Sequence, residues 1–504
     1  MCSDASDSQR VANWKPVFIR VGVLQEANAA TEGTSPEATR RSFSRNPFVA
    51  FVTFCKKLLP LRLCMRFCFY WRTLRARRPT APGNANAFPE AVGQRKCGHV
   101  ASGCFESRIR FRRLMYMTVK AASYLYTGVY SEEQVVSLAR KLRADLGANA
   151  ALGFVFVTPD WQPHLEDTLE LIRLNAHVPR LVGCSGSAVV GFETELEGQS
   201  GLSVMLLVLP EDSFDVFSIS EEDIDSNSPE SWHELTNIRP EASRGWIVLA
   251  NPALHELEEW LAGWNLAYPE IPIIGGLAAG KQSDYFLFRD GELTTASILL
   301  VGLKSPLQLR TIISQGCRPI GDPSPITKAE DNFILEIGNV SAYQTLESAF
   351  MTIPADERNA VRNNLFLGLA ASEYIDEFKR GDFLIRNILG ADPQMGALAV
   401  AAYPRVGQTV QFQVRDAKSA HQDMLDAWRL TAAEARESSA ILLFICNGRG
   451  RGLFGVSNHD AGIVAQTFGA CPTAGLFCNG EIGPVGNRSF LHGYSAAAAI
   501  LTTD

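Results

Sequence analysis

One order of signals recurs three times along this chain: an apolar run that reads as a strand, an amphipathic helix, a glycine-bearing loop, and a second apolar run. The first copy is ALGFVFVTP, HLEDTLELIRL, the small-residue loop GCSGSAVVG at 183–191, and SVMLLVLP from Ser203. The second is GWIVLANP at 245–252, LHELEEWLAGW, the Pro-led loop IPIIGGLAAGK, and TASILLVGL. The third is SAILLFICNG at 439–448, DAGIVAQTF, CPTAGLFCNGEIGP, and SAAAAILT. Phe156 to Gly183 and Val248 to Gly275 are both 27 apart, and Gly183 to Ser203, Gly275 to Thr295 and Gly475 to Ser495 are all 20 apart. In the third copy the first interval, Leu443 to Gly475, is 32, with the extra residues in or near NGRGRGLFG.

One such unit cannot bury both faces of its strands, whereas copies packed together can. The expected fold class is therefore α/β, layered mixed β-sheets flanked by helices, with an internal strand, helix, Gly-loop, strand repeat. Gly183, Gly275 and Gly475 are expected at matching turns with positive φ. Ser131 is the expected N-cap of the helix SEEQVVSLARKLRADLG. Residues 117–305 are read as one domain holding two copies, and residues 306–504 as a second. There GALAVAAYPRVGQTVQFQVRD at 396–416 is expected as a β-hairpin feeding the helix SAHQDMLDAWRLTAAEA. The stretch 210–244, with its acidic run SEEDIDSNSPES, is expected as a solvated loop.

Charge divides the chain unevenly. Residues 1–113 carry 20 Lys and Arg against 7 Asp and Glu, while the whole chain is at −7. An acidic remainder argues against nucleic-acid binding through a general positive field. In the basic arm, the apolar stretch at 48–71 is interrupted by Lys56, Lys57, Arg62 and Arg66 and broken by Pro60, so it does not suit a membrane span. It also begins too far along the chain for a secretory signal. A transit peptide is one reading of the arm. Upstream sequence translated from an early start codon, with Met115 or Met117 as the true start, is the other and the favoured one. Little order is expected before Arg113.

Six of the 11 cysteines lie in that arm, and the other five are widely spread, which favours a reducing, cytoplasmic setting over a disulfide framework. No paired CxxC accompanies Cys64, Cys68, Cys97 and Cys104, so no metal is expected. No cofactor is expected either: GRGRGLFG is neither a P-loop nor a strand-anchored GxGxxG, and HExxH and GxSxG are absent.

The last 60 or so residues concentrate groups able to do chemistry: Cys446, Asn447, Gly448, Arg449 and Arg451, then His459 and Asp460, then Cys478, Asn479 and Glu481, then His492. Two CNG tripeptides, each ending a predicted strand, would gather amides, guanidiniums and a carboxylate at one sheet edge, where layered α/β folds form pockets. Each has a plainer reading. CNG is good turn chemistry, Ser457-x-x-Asp460 is a capping-box pattern, Arg449 and Arg451 suit solvated loop charges, and His492 suits a buried, satisfied histidine. Cys184 and Ser185, in the first copy's loop, are secondary candidates. Nothing beside Cys184 in the sequence would activate its thiol.

VGCSGSAVVG, GQTVQFQVRDAKSAHQDM, ILLFICNGRGRGLFG and AGLFCNGEIGPVGNRSFLHGYSAAAAIL resemble the FIST N and FIST C domains over about Met117 to the C-terminus. The resemblance implies an intracellular sensory role with a small ligand, an amino acid among the candidates, and transfers no catalytic residue. No F-box or attached kinase, methyl-acceptor or cyclase module is seen, so output would pass through an unidentified signalling partner or through oligomerisation, with no membrane or nucleic acid involved. Arg449, Arg451 and the CNG amides could hold a carboxylate and Glu481 or Asp460 an ammonium, with Arg415 and Asp416 adding to either. Two alternatives stand beside this: an enzyme using Cys446 or Cys478 with His459 or His492 and Glu481, and a scaffold that binds no ligand.

Overall fold

The computed structural model describes residues 119–210, 212–225, 228–280, 284–432 and 440–503. The expectations for the basic arm at 1–113 lie outside the described residues.

The first unit runs β1 (Lys120–Thr127), α1 (Glu132–Leu146), β2 (Leu152–Val157), α2 (Leu165–Ala176), β3 (Arg180–Ser185), the hairpin β4 (Ala188–Gly191) and β5 (Thr194–Leu196), and β6 (Gly201–Val208). The second has the same order: β7 (Phe214–Ile219), α3 (Glu221–Asp225), α4 (Pro229–Thr236), β8 (Ser243–Ala250), α5 (Leu257–Ala267), β9 (Ile273–Leu277), the hairpin β10 (Leu287–Arg289) and β11 (Glu292–Thr294), and β12 (Ile298–Lys304). The third opens with β13 (Leu307–Ser314) and is then interrupted by an insertion. The insertion comprises β14 (Cys317–Glu330), β15 (Phe333–Ile337), β16 (Val340–Ser341), α6 (Ala342–Met351), α7 (Arg358–Val361), β17 (Leu365–Ala370), β18 (Phe383–Asp392), β19 (Ala397–Val400) and β20 (Thr409–Arg415). The unit resumes with α8 (Ala417–Ala432), β21 (Ala440–Cys446), α9 (Gly450–Phe454), α10 (His459–Phe468), β22 (Thr473–Cys478), the hairpin β23 (Glu481–Val485) and β24 (Arg488–His492), and β25 (Ala496–Thr503).

Each unit builds one sheet by the same pairing. Its two central strands run parallel (β2 with β3, β8 with β9, β21 with β22), and its last and first strands add antiparallel on one side. The hairpin leaves its own sheet and completes another. The β4–β5 hairpin of the first unit joins β22, the β23–β24 hairpin of the third joins β9, and the β10–β11 hairpin of the second joins β3. The exchange is cyclic, so no unit's sheet is complete without a neighbour's strand. The inner faces meet in one core that draws Phe154 and Phe156, Ile247 and Leu249, and Leu442 and Phe444 from the three units. Each outer face is covered by its own helices, the second by the cluster Trp232, Trp246, Trp260, Trp264 and Tyr268.

Gly183, Gly275 and Gly475 do occupy matching positions, opposite Val155, Val248 and Leu443. They lie within strands, not turns, and have no positive φ. Glycine is required there by close approach: a Cβ would sit 1.8, 1.7 and 1.9 Å from the carbonyl oxygens of those three residues. The 20-residue interval to the final strand is a coincidence. Opposite Val155, Val248 and Leu443 that strand places Val204, Leu300 and Ala498, so Ser203, Thr295 and Ser495 are not equivalent.

Two further expectations are corrected. The stretch expected as a solvated loop holds β7, α3 and α4, because Trp232 and Ile219 face the second unit's core. The expected hairpin at 396–416 is not one: β19 pairs with β18 and β15, and β20 with β14 and β17. Ser131 sits at the N-cap of α1 without a side-chain hydrogen bond to it. The insertion has its own core, including Ile326, Leu367 and Val414. Among the described residues no helix is long and apolar enough to cross a membrane.

Candidate functional site

The turns that follow the central strands converge where the hairpins cross between sheets. Ser187 Oγ donates to Asn447 Oδ1, Asn447 Nδ2 donates to Asn479 Oδ1 at 2.7 Å, and Asn479 Nδ2 donates to the Ala278 carbonyl at 3.2 Å. The Ala279 N–H returns to the Ser185 carbonyl at 2.9 Å. This chain links all three units, and Asn447, Gly448 and Asn479 are exposed along it. The two CNG tripeptides meet because Cys446 and Cys478 pair directly across β21 and β22. Each asparagine therefore ends its strand beside the other, with its amide held at a fixed angle.

Arg449 and Asp460 do not lie on that surface. They form a bidentate pair, Nε to Oδ2 at 2.6 Å and Nη2 to Oδ1 at 2.9 Å, with both side chains 0% exposed. Reading Arg449 as a solvated charge is thus corrected: the glycines on either side let the loop turn the guanidinium inward, against Phe454 and Met424. The capping-box reading of Asp460 is corrected too, since Asn458 is the N-cap of α10. The cap comes from the first unit, where Glu195 Oε1 accepts the N–H groups of Asp460 and Ala461, both at 2.8 Å. A carboxylate at a helix N-terminus is favourable, but burial and then the Asp460 charge push the Glu195 carboxyl up to about 7. At Asp460 burial acts upward and is outweighed by the Arg449 charge and the His459 hydrogen bond, which hold the carboxyl down at about 2. Glu197 accepts the Arg451 N–H at 3.0 Å, fixing the loop without using the Arg451 guanidinium.

His459 Nδ1 lies 2.7 Å from Asp460 Oδ1, and its Nε2 lies 2.9 Å from His421 Nδ1. An ionised Asp460 only accepts, so Nδ1 of His459 carries the proton, and in the neutral ring Nε2 accepts from His421. The result is a relay from the buried ion pair to an exposed histidine.

Glu481 is 0% exposed, and its Oε2 accepts from Ser495 N at 3.1 Å and Ser495 Oγ at 2.7 Å. Burial pushes its carboxyl up to about 7. Cys478 Sγ donates to Glu481 Oε1 at 3.3 Å, and burial with the Glu481 charge raises that thiol well above its ordinary value. Burial likewise pushes Cys446 up to about 12, and its sulfur accepts from Tyr494 N–H. Among the described residues neither thiol has a histidine hydrogen-bond partner. His492 is buried on the Gly483 carbonyl at 3.0 Å and pushed down to about 4, which leaves it neutral. Cys184 points into the common core, where burial raises its thiol, and Ser185 Oγ accepts from Phe286 N–H at 3.0 Å.

Sequence reasoning did not single out Ser187, Glu195, Glu197, His421, Ser495 or Tyr494 at this site. Glu195 and Glu197 stand in a short hairpin more than 250 positions from the groups they touch, and no local pattern marks them. Arg415 was reachable as a charge following a predicted strand. It is 7% exposed, packs on the Tyr494 ring at 5.0 Å, and donates through Nη2 to the Gly448 carbonyl at 2.7 Å.

The fold and this convergence of turns define a multi-sheet α/β protein whose polar centre is assembled from all its units. The chain belongs to the FIST family: the FIST N domain matches residues 151–339 and the FIST C domain residues 342–484. FIST domains are associated with sensory small-ligand binding in signalling. The chain is similar to the uncharacterized protein Mb0898c of Mycobacterium bovis, 34% identical over 345 residues, covering 67% of this chain and 87% of that protein. It is also similar to the uncharacterized protein MT0656 of Mycobacterium tuberculosis, 32% identical over 358 residues, covering 70% and 92%. The crystal structure of a cyanuric acid hydrolase from A. caulinodans aligns over 76% of this chain and 99% of that one, with 10% identity and a TM-score of 0.26.

Proposed function

We propose that the protein is an intracellular sensory module that binds a small polar ligand, an amino acid in the first instance, at the turns 447–451 and 478–484, and transmits its occupancy to a signalling partner. The three units are read as an internal repeat, divided near residue 305 into two domains. The observation that carries this reading is the exposed pair Asn447 and Asn479, whose amides are held by hydrogen bonds to all three units. Donors held this way lose little entropy on binding. Because the hairpins are exchanged, occupancy at this point bears on every sheet at once. The raised Cys446 and Cys478 thiols weigh against a cysteine enzyme, since the thiolate is the nucleophile.

Native mass spectrometry of the freshly purified full chain tests the proposal. A bound small molecule is expected on the wild type and absent from Asn447→Ala and Asn479→Ala at unchanged melting temperature. Ligand retained by both variants would place the site elsewhere.

A further inference from the structure

Of the two buried arginines among the described residues, Arg415 is the one with no counter-ion. Arg449 is matched by Asp460, and Arg318, Arg380 and Arg386 each meet a carboxylate. Arg415 makes no salt bridge among the described residues. Its one side-chain hydrogen bond is to the Gly448 carbonyl, and its buried Nε has no partner. The nearby Arg449 charge adds repulsion, and Arg449 Nη1 is also buried without a partner. A desolvated, unpaired guanidinium is strongly unfavourable.

The position is informative. Arg415 ends β20, the inserted sheet's strand that pairs with Cys317, and reaches across to Gly448 and Tyr494 of the third unit. Tyr494 is fixed in turn by its hydroxyl on Asn387 Oδ1 at 2.9 Å and its ring against Phe366, both in the insertion. Gly448 directly follows the exposed Asn447. A guanidinium presents several N–H groups in a plane that matches a carboxylate, and an aromatic face beside it keeps water away.

We propose that Arg415 is the anion-recognition residue of this site and that the ligand is a small carboxylate, held between the insertion and the third unit with its acid group on Arg415. This rests on the ligand-binding reading above and deepens it: the cation is Arg415, and not Arg449, whose fork is already filled by Asp460.

The test uses the full chain, stripped of bound small molecules, and calorimetric titration with each of the twenty L-amino acids and with short dicarboxylates. The primary amide of any acid that binds serves as the control lacking the anion. Wild type is expected to bind at least one acid and not its amide. Arg415→Gln is expected to weaken that binding on the order of 100-fold, while its ligand-free melting temperature stays level or rises because an unpaired charge has gone. Arg415→Lys, which keeps charge but not the planar fork, is expected to lose about 10-fold. A lowered ligand-free melting temperature with unchanged affinity in Arg415→Gln would make the residue structural and overturn the proposal. Binding of the amide as tightly as the acid, or no binding of any acid by wild type, would also overturn it. If Asn447→Ala loses binding and Arg415→Gln does not, the anion proposal fails and the site reading stands. If neither loses it, the site reading fails as well.

Discussion

The guanidinium of Arg449 closes on the carboxylate of Asp460 with neither side chain reaching solvent. The pair ties the glycine loop to the first turn of α10, and α10 is capped by Glu195 from another unit. A charge pair in such a setting is strongly coupled to folding, whatever its part in binding.

Arg449→Ala and Asp460→Ala are each expected to lower stability by about 3–5 kcal/mol, because each leaves one buried charge without its partner. The double replacement Arg449→Met with Asp460→Leu should cost less than either. Urea denaturation of the four proteins checks this, and equal or additive losses in the double variant would refute the pairing argument.

Gly475→Ala should cost more than about 3 kcal/mol or prevent folding, since the new Cβ would meet the Leu443 carbonyl oxygen at 1.9 Å with no flexible group to yield. Gly462→Ala is the opposite case. That glycine lies inside α10 with open space around its missing Cβ, so alanine should raise stability by roughly 0.5–1 kcal/mol. Thermal melts of both variants read the contrast directly.

The raised Glu481 carboxyl gives a pH signature. Its folded value of about 7 lies above the ordinary 4.5, so between those values the folded state holds the extra proton and stability falls as pH rises. The effect is at most on the order of 3 kcal/mol, complete above neutral pH and absent below pH 4.5. Glu481→Gln should remove this part of the slope and leave the part due to Glu195. Denaturation midpoints from pH 4 to 8 for wild type and variant would show it, and parallel curves would contradict it.

Native-state alkylation with iodoacetamide, followed by peptide mapping, should modify Cys471 before Cys184, Cys317, Cys446 and Cys478. Cys471 is the one partly exposed cysteine of these five, and burial raises all five thiols. Selective, rapid labelling of Cys446 or Cys478 would revive the cysteine-enzyme reading.

The local sequence determined the identity and order of the main elements. Apolar runs and 3.6-residue periodicity marked β2, α2, β8, α5, β21 and α10, and the recurring glycine marked the one position in each unit where parallel backbones crowd together. Spacing along the chain reports such features because they depend on neighbours a few residues away. The 20-residue interval misled because loop lengths between β3 and β6 and their counterparts vary independently of strand register. Only the tertiary structure decided which charges are buried and which sheet each hairpin completes. Glu195 finds the Asp460 N–H 265 positions along the chain, and Arg449 turns inward only once α8, α10 and Met424 are in place to receive it. Strands as short as β5 or β10 carry no periodicity of their own. Their partners are selected by hydrogen-bonding edges that exist only after the other sheets have formed.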